Sequence, residues 1–182
     1  MILPIYAYGH PVLRKKTRNI DTNYPELAKL IKDMYETMYH AKGMGLAAPQ
    51  IGQDIRLFIV DSQQLIDEED NQGIRQVFIN ADLVEEGGEK WTYEEGCLSI
   101  PAVRAKVERP AQVRVKYYDE NFVSHDKIFI GLNARVIQHE YDHVNGILFT
   151  DLLKPLKRRM LKKRMDMIKK GKVTSNYNMV FV

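Results

Sequence analysis

The chain has 182 residues, with 27 Lys/Arg against 24 Asp/Glu, a formal net charge of +3 and 45% hydrophobic residues. That length suits one domain with a real core, and the composition excludes a disordered or collagen-like chain. The one cysteine, Cys97, excludes an internal disulfide, so a reducing compartment is expected and the thiol needs another reason to be present.

The opening MILPIYAYGHPVLRKKT has no basic segment ahead of its apolar residues and is interrupted by Pro4 and Gly9, so no export signal is expected. No apolar run approaches the ~18–20 residues that span a bilayer. A cytoplasmic protein is expected, in a bacterium rather than an organelle, because no transit peptide is legible.

Residues 25–42 carry Leu27, Leu30, Ile31, Met34 and Met38 at helical spacing, with Pro25 in a first turn and Gly43 closing the end. The following GMGLAAPQIG is too rich in Gly and Pro to continue that helix. Residues 56–61 (RLFIVD) and 76–80 (QVFIN) read as short strands, with SQQLIDEEDNQG between them as a solvated acidic loop. Residues 91–93 read as a strand leading into EEGCLSIP. Over 111–119 Val113, Val115 and Tyr117 alternate onto one face; Glu120-Asn121 is a turn, and 122–130 return as another strand. Asn133 is placed to cap a second helix that ends near Gly146, a third helix is expected over 155–170, and 173–182 read as extended.

No repeat or long linker divides these elements. They predict one α+β domain over 1–182, of short, mostly antiparallel strands around a central helix, with a basic C-terminal helix and extended tail over 155–182. The net charge hides an asymmetry. Residues 154–172 hold ten Lys/Arg and one Asp, a local +9, whereas 61–95 hold eleven acidic residues and two basic ones, a local −9. Partners therefore have to be argued segment by segment.

The expected central helix contains His139-Glu140-Tyr141-Asp142-His143. Residues i and i+4 project from one face, so both imidazoles can converge on an ion. Glu140 is rotated by about 100° from His139 and can stand beside the metal as a general base without ligating it. The plain alternative is a polar helix surface, but Val136, Ile137 and Val144 flank the motif, and burying two His and a Glu unpartnered would be costly. A catalytic site usually takes three protein ligands and keeps one open position. A third histidine six residues after His143 fails, because that position is Phe149; no glutamate follows Glu140. Asp151 remains, near the helix end. Upstream, Cys97 would complete a thiolate and two imidazoles with room for one water, although a lone cysteine is commonly just a small buried hydrophobe.

Three segments taken together resemble the peptide deformylase family: Gly43-Met44-Gly45-Leu46-Ala47-Ala48-Pro49-Gln50, Glu95-Gly96-Cys97-Leu98-Ser99 and Gln138-His139-Glu140-Tyr141-Asp142-His143. Tyr8-Gly9-His10-Pro11-Val12-Leu13-Arg14 adds to the likeness, which runs over about 5–155. The resemblance implies hydrolysis of the formyl group from the N-terminal N-formylmethionine of new peptides, with release of formate and a metal-bound water as nucleophile. It implies Cys97, His139 and His143 as metal ligands and Glu140 as general acid/base. Gln50 and the Leu98 N–H would stabilise the oxyanion, and Gly45, Gly96 and Arg104 would lie along the substrate. Met44, Tyr93, Leu132 and Val136 are expected walls of a methionine pocket, and the peptide would add as a strand beside 43–45 and Gly96. The resemblance favours one Fe²⁺ per chain, with Zn²⁺, Ni²⁺ or Co²⁺ able to substitute.

Expected partners are N-formylmethionyl peptides and, through the basic segment 157–164, the ribosome; no membrane or DNA partner is expected, and the chain is expected to be a monomer. Three other readings compete: an endopeptidase of the H-E-x-x-H type, a ribosome- or RNA-binding module driven by the basic segment, and an inactive relative. The first lacks its downstream ligand, and the last is opposed by the intact motif positions.

Overall fold

The computed structural model describes residues 1–65 and 73–182. In chain order, strand β1 (Ile5–Tyr6) leads to helix α1 (Leu27–His40), then β2 (Gly45–Ala47), β3 (Leu57–Asp61), β4 (Arg75–Cys97), β5 (Ile100–Tyr118) and β6 (Ser124–Ile130). Helices α2 (Gly131–Val144) and α3 (Pro155–Lys169) follow, and β7 (Met179–Val180) closes the chain. Among the described residues, β2 to β6 form an antiparallel sheet in sequence order, and β1 pairs in parallel with β7. None of the described helices is long and apolar enough to cross a membrane.

The apolar run in β3 explains how the helices sit. Successive strand residues point to opposite faces. Leu57 and Ile59 join a cluster with Ile31, Met34 and Met38 of α1, while Phe58 and Val60 join one with Ala134, Val136 and Ile137 of α2. A strand covered on both faces needs no polar phase, so RLFIVD reads as continuous rather than alternating. Phe58 stacks on Phe78 of β4 at 4.7 Å, which continues the α2-side core into the next strand. A third cluster joins Val103, Ala105 and Val107 of β5 to Leu148, Phe149, and Met165 and Ile168 of α3.

The α+β class and the antiparallel sheet around the motif helix match the sequence reading; strand lengths differ. The expected strands 76–80 and 91–93 are parts of one long β4, and its partner β5 spans 19 residues. Four register irregularities bend this pair along its length, the last between Gly96 and Cys97. A bulged, bent ladder interrupts the simple alternation that marks a strand in sequence. The β6 strand starts at Ser124 rather than 122, because the Asp119 carboxylate accepts the N–H groups of Asn121 and Val123 and holds the turn closed. The acidic loop expected over 62–73 falls mostly on 66–72, outside the described residues. The tail is extended where it pairs as β7, in keeping with its β-branched and aromatic end.

Helix boundaries differ for local reasons. Glu26 is left-handed (φ 55°), so α1 begins at Leu27 instead of Pro25. Its end is closed by Lys42 N–H on Tyr39 O and Gly43 N–H on Met38 O, with Lys42 as the left-handed residue. Asn133 does not cap α2, which starts two residues earlier after Ile130; Asn133 is buried and its Oδ1 accepts the Ser62 hydroxyl. The C-terminus of α2 closes at Gly146 (φ 75°), with Ile147 N–H on Asp142 O and Gly146 N–H on His143 O. That closure turns the chain away immediately after His143.

Candidate functional site

Three elements converge at one point. The β4–β5 hairpin ends in a two-residue turn, Leu98-Ser99, between the paired Cys97 and Ile100. The ladder slips there, from Gly96 opposite Arg104 to Cys97 opposite Ile100, and Ala102 takes a left-handed φ of 56° in the excursion. From α2, His139 and His143 face this tip. One ligand atom each from Cys97, His139 and His143 lies within 4.8 Å of the others, and Cys97 Sγ is 3.2 Å from His143 Nε2. The third side of the site is the turn 48–51, which carries Gln50. Its Oε1 accepts the Ala47 N–H at 2.8 Å; its Nε2 points at Cys97 Sγ (3.6 Å) and Ser99 Oγ (3.3 Å).

Glu140 is buried beside the cluster, and its Oε2 has no hydrogen-bond partner among the described residues. Burial pushes its carboxyl up to about 7, against the attraction of His139. The side chain packs over Gly45. A Cβ on that glycine would sit 2.6 Å from Glu140 Cγ and 2.7 Å from Cδ, so only glycine leaves the carboxylate its place. At Gly43 a Cβ would lie 2.8 Å from Leu98 Cδ1. Two glycines of the Gly-rich segment thus make room for residues from two other parts of the chain.

The largest feature absent from the sequence reading is the support behind His139. Glu95 Oε2 lies 2.9 Å from His139 Nδ1; a carboxylate can only accept, so Nδ1 carries the proton and Nε2 is left for the cluster. Arg109 donates twice to Glu95 (2.7 and 3.0 Å) and once to Asp142 (2.7 Å). Arg135 donates to Glu95 (2.9 Å) and to the carbonyls of Val107 and Trp91 (3.1 and 2.6 Å), with its guanidinium 4.6 Å from the Trp91 ring centre. Burial alone would raise the Glu95 carboxyl, but the hydrogen bonds from His139 and Arg109 and the Arg109 charge outweigh it and hold it far below the usual carboxylate range. Burial likewise opposes a charged His139, yet its hydrogen bonds with Cys97 and Glu95 raise its pKa well above the imidazole value. Burial and then the His139 charge push His143 well below that value.

One signal for Arg109 was readable. Val103, Ala105 and Val107 occupy the buried phase of β5, and Arg109 continues that phase as a charge where an apolar residue belongs. Glu95 opens the segment 95–99 that contains Cys97, and nothing local marks Arg135.

The remaining expected residues are less closely gathered. Met44 and Leu132 pack against the cluster that contains Val136, and Val136 itself is core. Tyr93 leans on Trp91, with ring centres 5.2 Å apart. Arg104 is exposed opposite Gly96, where a Cβ would meet it only at ordinary contact distance. Asp151 is not part of the cluster. It pairs with Arg14 and accepts the Leu148 N–H at 2.9 Å, which holds the turn after α2 instead. Phe149, at the position tested for a third histidine, stacks on the His139 ring at 6.0 Å.

Comparison with known proteins adds an independent line. The sequence model of the family described as Polypeptide deformylase matches residues 2–159. A peptide deformylase of Christiangramia forsetii is 50% identical over 100% of this chain and 96% of its own, and one of Cytophaga hutchinsonii is 48% identical over 100% and 98%. Among solved structures, a peptide deformylase from Legionella pneumophila superposes with a TM-score of 0.82 at 38% identity, covering 94% of this chain and 98% of the other. One from Synechococcus elongatus in complex with actinonin gives 0.80 at 38% identity, covering 98% and 92%.

The buried charge network makes a direct prediction. Glu95→Gln keeps the shape but leaves two buried arginines short of a counter-charge, and breaking a buried pair in this way costs about 3–5 kcal/mol. A lower denaturant midpoint together with weakened metal retention is expected; a variant as stable as the parent would show that Glu95 does not organise the site.

Proposed function

The chain belongs to the peptide deformylase family, metal-dependent hydrolases that remove the formyl group from N-formylmethionyl peptides, and on that premise we propose how its own residues divide the work. Cys97, His139 and His143 hold the metal, Glu140 is the general acid/base, and Gln50 with the Leu98 N–H stabilises the oxyanion. What carries this reading is the meeting of a sulfur and two imidazoles within 4.8 Å beside an unpartnered, buried glutamate. The donor set fits a divalent ion: one soft sulfur and two borderline nitrogens, with the His139 tautomer fixed by Glu95. When bound, the ion would supply an acidified water at neutral pH, which formamide hydrolysis needs.

Glu140, with a carboxyl near neutrality, would serve as the proton carrier, accepting the nucleophile's proton and delivering it to the departing amine. The Gln50 amide is held by Ala47 at its oxygen end, so its N–H₂ faces the Cys97 side without having to reorganise. One such preorganised donor is worth about 2.7–4 kcal/mol. The peptide would lie along the free edge of β2, between Gly45 and the Gly96–Arg104 rung, with its methionine toward Met44, Leu132 and Tyr93. Val136, being core, would back that wall rather than line it. The whole chain, 1–182, is read as one catalytic domain, supported by the pairing of β1 with β7 across its two ends. A monomer in a bacterial cytoplasm is the setting proposed.

For the metal we propose Fe²⁺, one per chain, with Zn²⁺, Ni²⁺ or Co²⁺ as substitutes. The basic helix α3 is proposed to dock the enzyme near nascent chains on the ribosome. It buries only Met165 and Ile168 and leaves Arg158, Arg159, Lys162 and Lys163 exposed on the rest of its surface.

Three measurements test these assignments. Formate release from formyl-Met-Ala-Ser should fall by about 10²–10⁴ in Glu140→Ala, with metal retained; undiminished activity would remove Glu140 from the mechanism. Anaerobic purification should yield iron, with activity tracking iron content; full activity in a zinc-only preparation would overturn the iron proposal. Co-sedimentation with ribosomes should weaken with salt and be lost when Arg158, Arg159, Lys162 and Lys163 are all changed to Glu; equal binding by that variant would exclude α3 as the docking element.

A further inference from the structure

The turn that carries Leu98 is held by both ends of the chain. Its Ser99 carbonyl accepts the Tyr8 N–H at 2.8 Å, and its Leu98 carbonyl accepts the Tyr177 hydroxyl at 2.7 Å. Tyr177 belongs to the tail after α3, beyond the 2–159 segment that matches the family. The tail is fixed in its turn by β1: Ile5 N–H donates to Asn178 O (2.9 Å) and Ala7 N–H to Val180 O (2.8 Å). Tyr177 and Leu98 are half-buried against the same apolar cluster, and Met179, Phe181 and Val173 pack with Tyr8 and Cys97 on another. The tail therefore reaches the hairpin tip by a hydrogen bond to one turn residue and by apolar packing beside the cysteine.

We propose that the C-terminal tail acts as a positioning element for the Cys97–Ile100 turn, with Tyr177 as the residue that sets the orientation of Leu98. A two-residue turn between paired strand residues has few free dihedrals. Anchoring the Leu98 carbonyl limits rotation of its peptide plane, and through φ and ψ of Leu98 it constrains the direction of the N–H one plane earlier. A donor aimed at developing negative charge is useful only if it does not have to reorient during reaction. The hydroxyl also satisfies a carbonyl that would otherwise compete for water at the edge of the site. The hydroxyl of Tyr177 is bonded to the Leu98 carbonyl, and it acts through Leu98. The inference rests on the reading of Leu98 as an oxyanion donor.

The test is Tyr177→Phe, which keeps the ring and its packing and removes only the hydroxyl, studied in the metal-loaded full-length chain. kcat for formyl-Met-Ala-Ser should fall by about two- to tenfold, the range of one neutral hydrogen bond, with KM and metal content unchanged. The amide ¹⁵N–¹H resonance of Leu98 in the zinc-loaded form should shift, while Thr174→Ala, at an exposed position of the same tail, should leave both kcat and that resonance alone. A Leu98 resonance that stays in place overturns the proposal whether or not the chain deformylates, which separates its failure from failure of the functional reading. A shifted resonance with unchanged kcat overturns the catalytic part. A drop in melting temperature that tracks the loss of kcat equally in Tyr177→Phe and Thr174→Ala would reduce the tail to a general stabiliser and overturn the proposal as well.

Discussion

Glu95 is buried with two arginines and a histidine on its two oxygens, and the geometry of the site follows from how that charge is satisfied. Its bond to His139 selects the tautomer that leaves Nε2 facing Cys97. Its bidentate bond to Arg109 ties β4 to β5, and the third Arg109 contact, to Asp142, reaches the turn of α2 that lies between the two histidines. Arg135 adds the start of the same helix and two strand carbonyls. An isolated buried carboxylate would be expelled or protonated. With these partners it stays ionised, and the cost of breaking any one contact locks the helix against the hairpin.

The long, bent β4–β5 ladder serves the same end. An even hairpin would carry the side chains of its tip in regular alternation. The slip between Gly96 and Cys97 breaks the alternation at the point where a sulfur has to face two imidazoles. Around that tip, space is rationed by glycine. Gly45 yields to Glu140 and Gly43 to Leu98, so the Gly-rich segment is shaped by groups more than 50 residues away. The placement of both chain ends on the carbonyls of the same turn extends this economy: few rotatable bonds remain where the donors must be rigid.

Much of this was legible from local pattern. His139 and His143 at i and i+4 predict two ligands on one face because the helix repeat is a local property, and Glu140 follows as the residue turned away from them. The apolar face of α1, the Gly146 stop and the Pro155 start are signals of the same kind. Local pattern misleads where a side chain makes a distant bond in place of a local one. Asn133 reads as a cap, but its oxygen is used by Ser62 across the fold; Asp151 reads as a spare ligand, but it is held by Arg14 and the Leu148 N–H. Arg109 could have been suspected from its inward phase on β5. Arg135 could not, because its partners are spread over β4 and β5.

The sequence by itself determined the chemistry on offer: two imidazoles and a glutamate on one helix, one cysteine, and a family likeness carried by three short motifs. These depend on residue identity and short spacing, which a linear chain displays in full. The likeness already implied Cys97 beside the two histidines; only the tertiary structure decided that its sulfur reaches them, that Glu95 supports His139, and that Tyr177 closes on Leu98. Each of those is a contact between segments tens of residues apart, and its existence depends on strand register, bulges and burial, which no local spacing records.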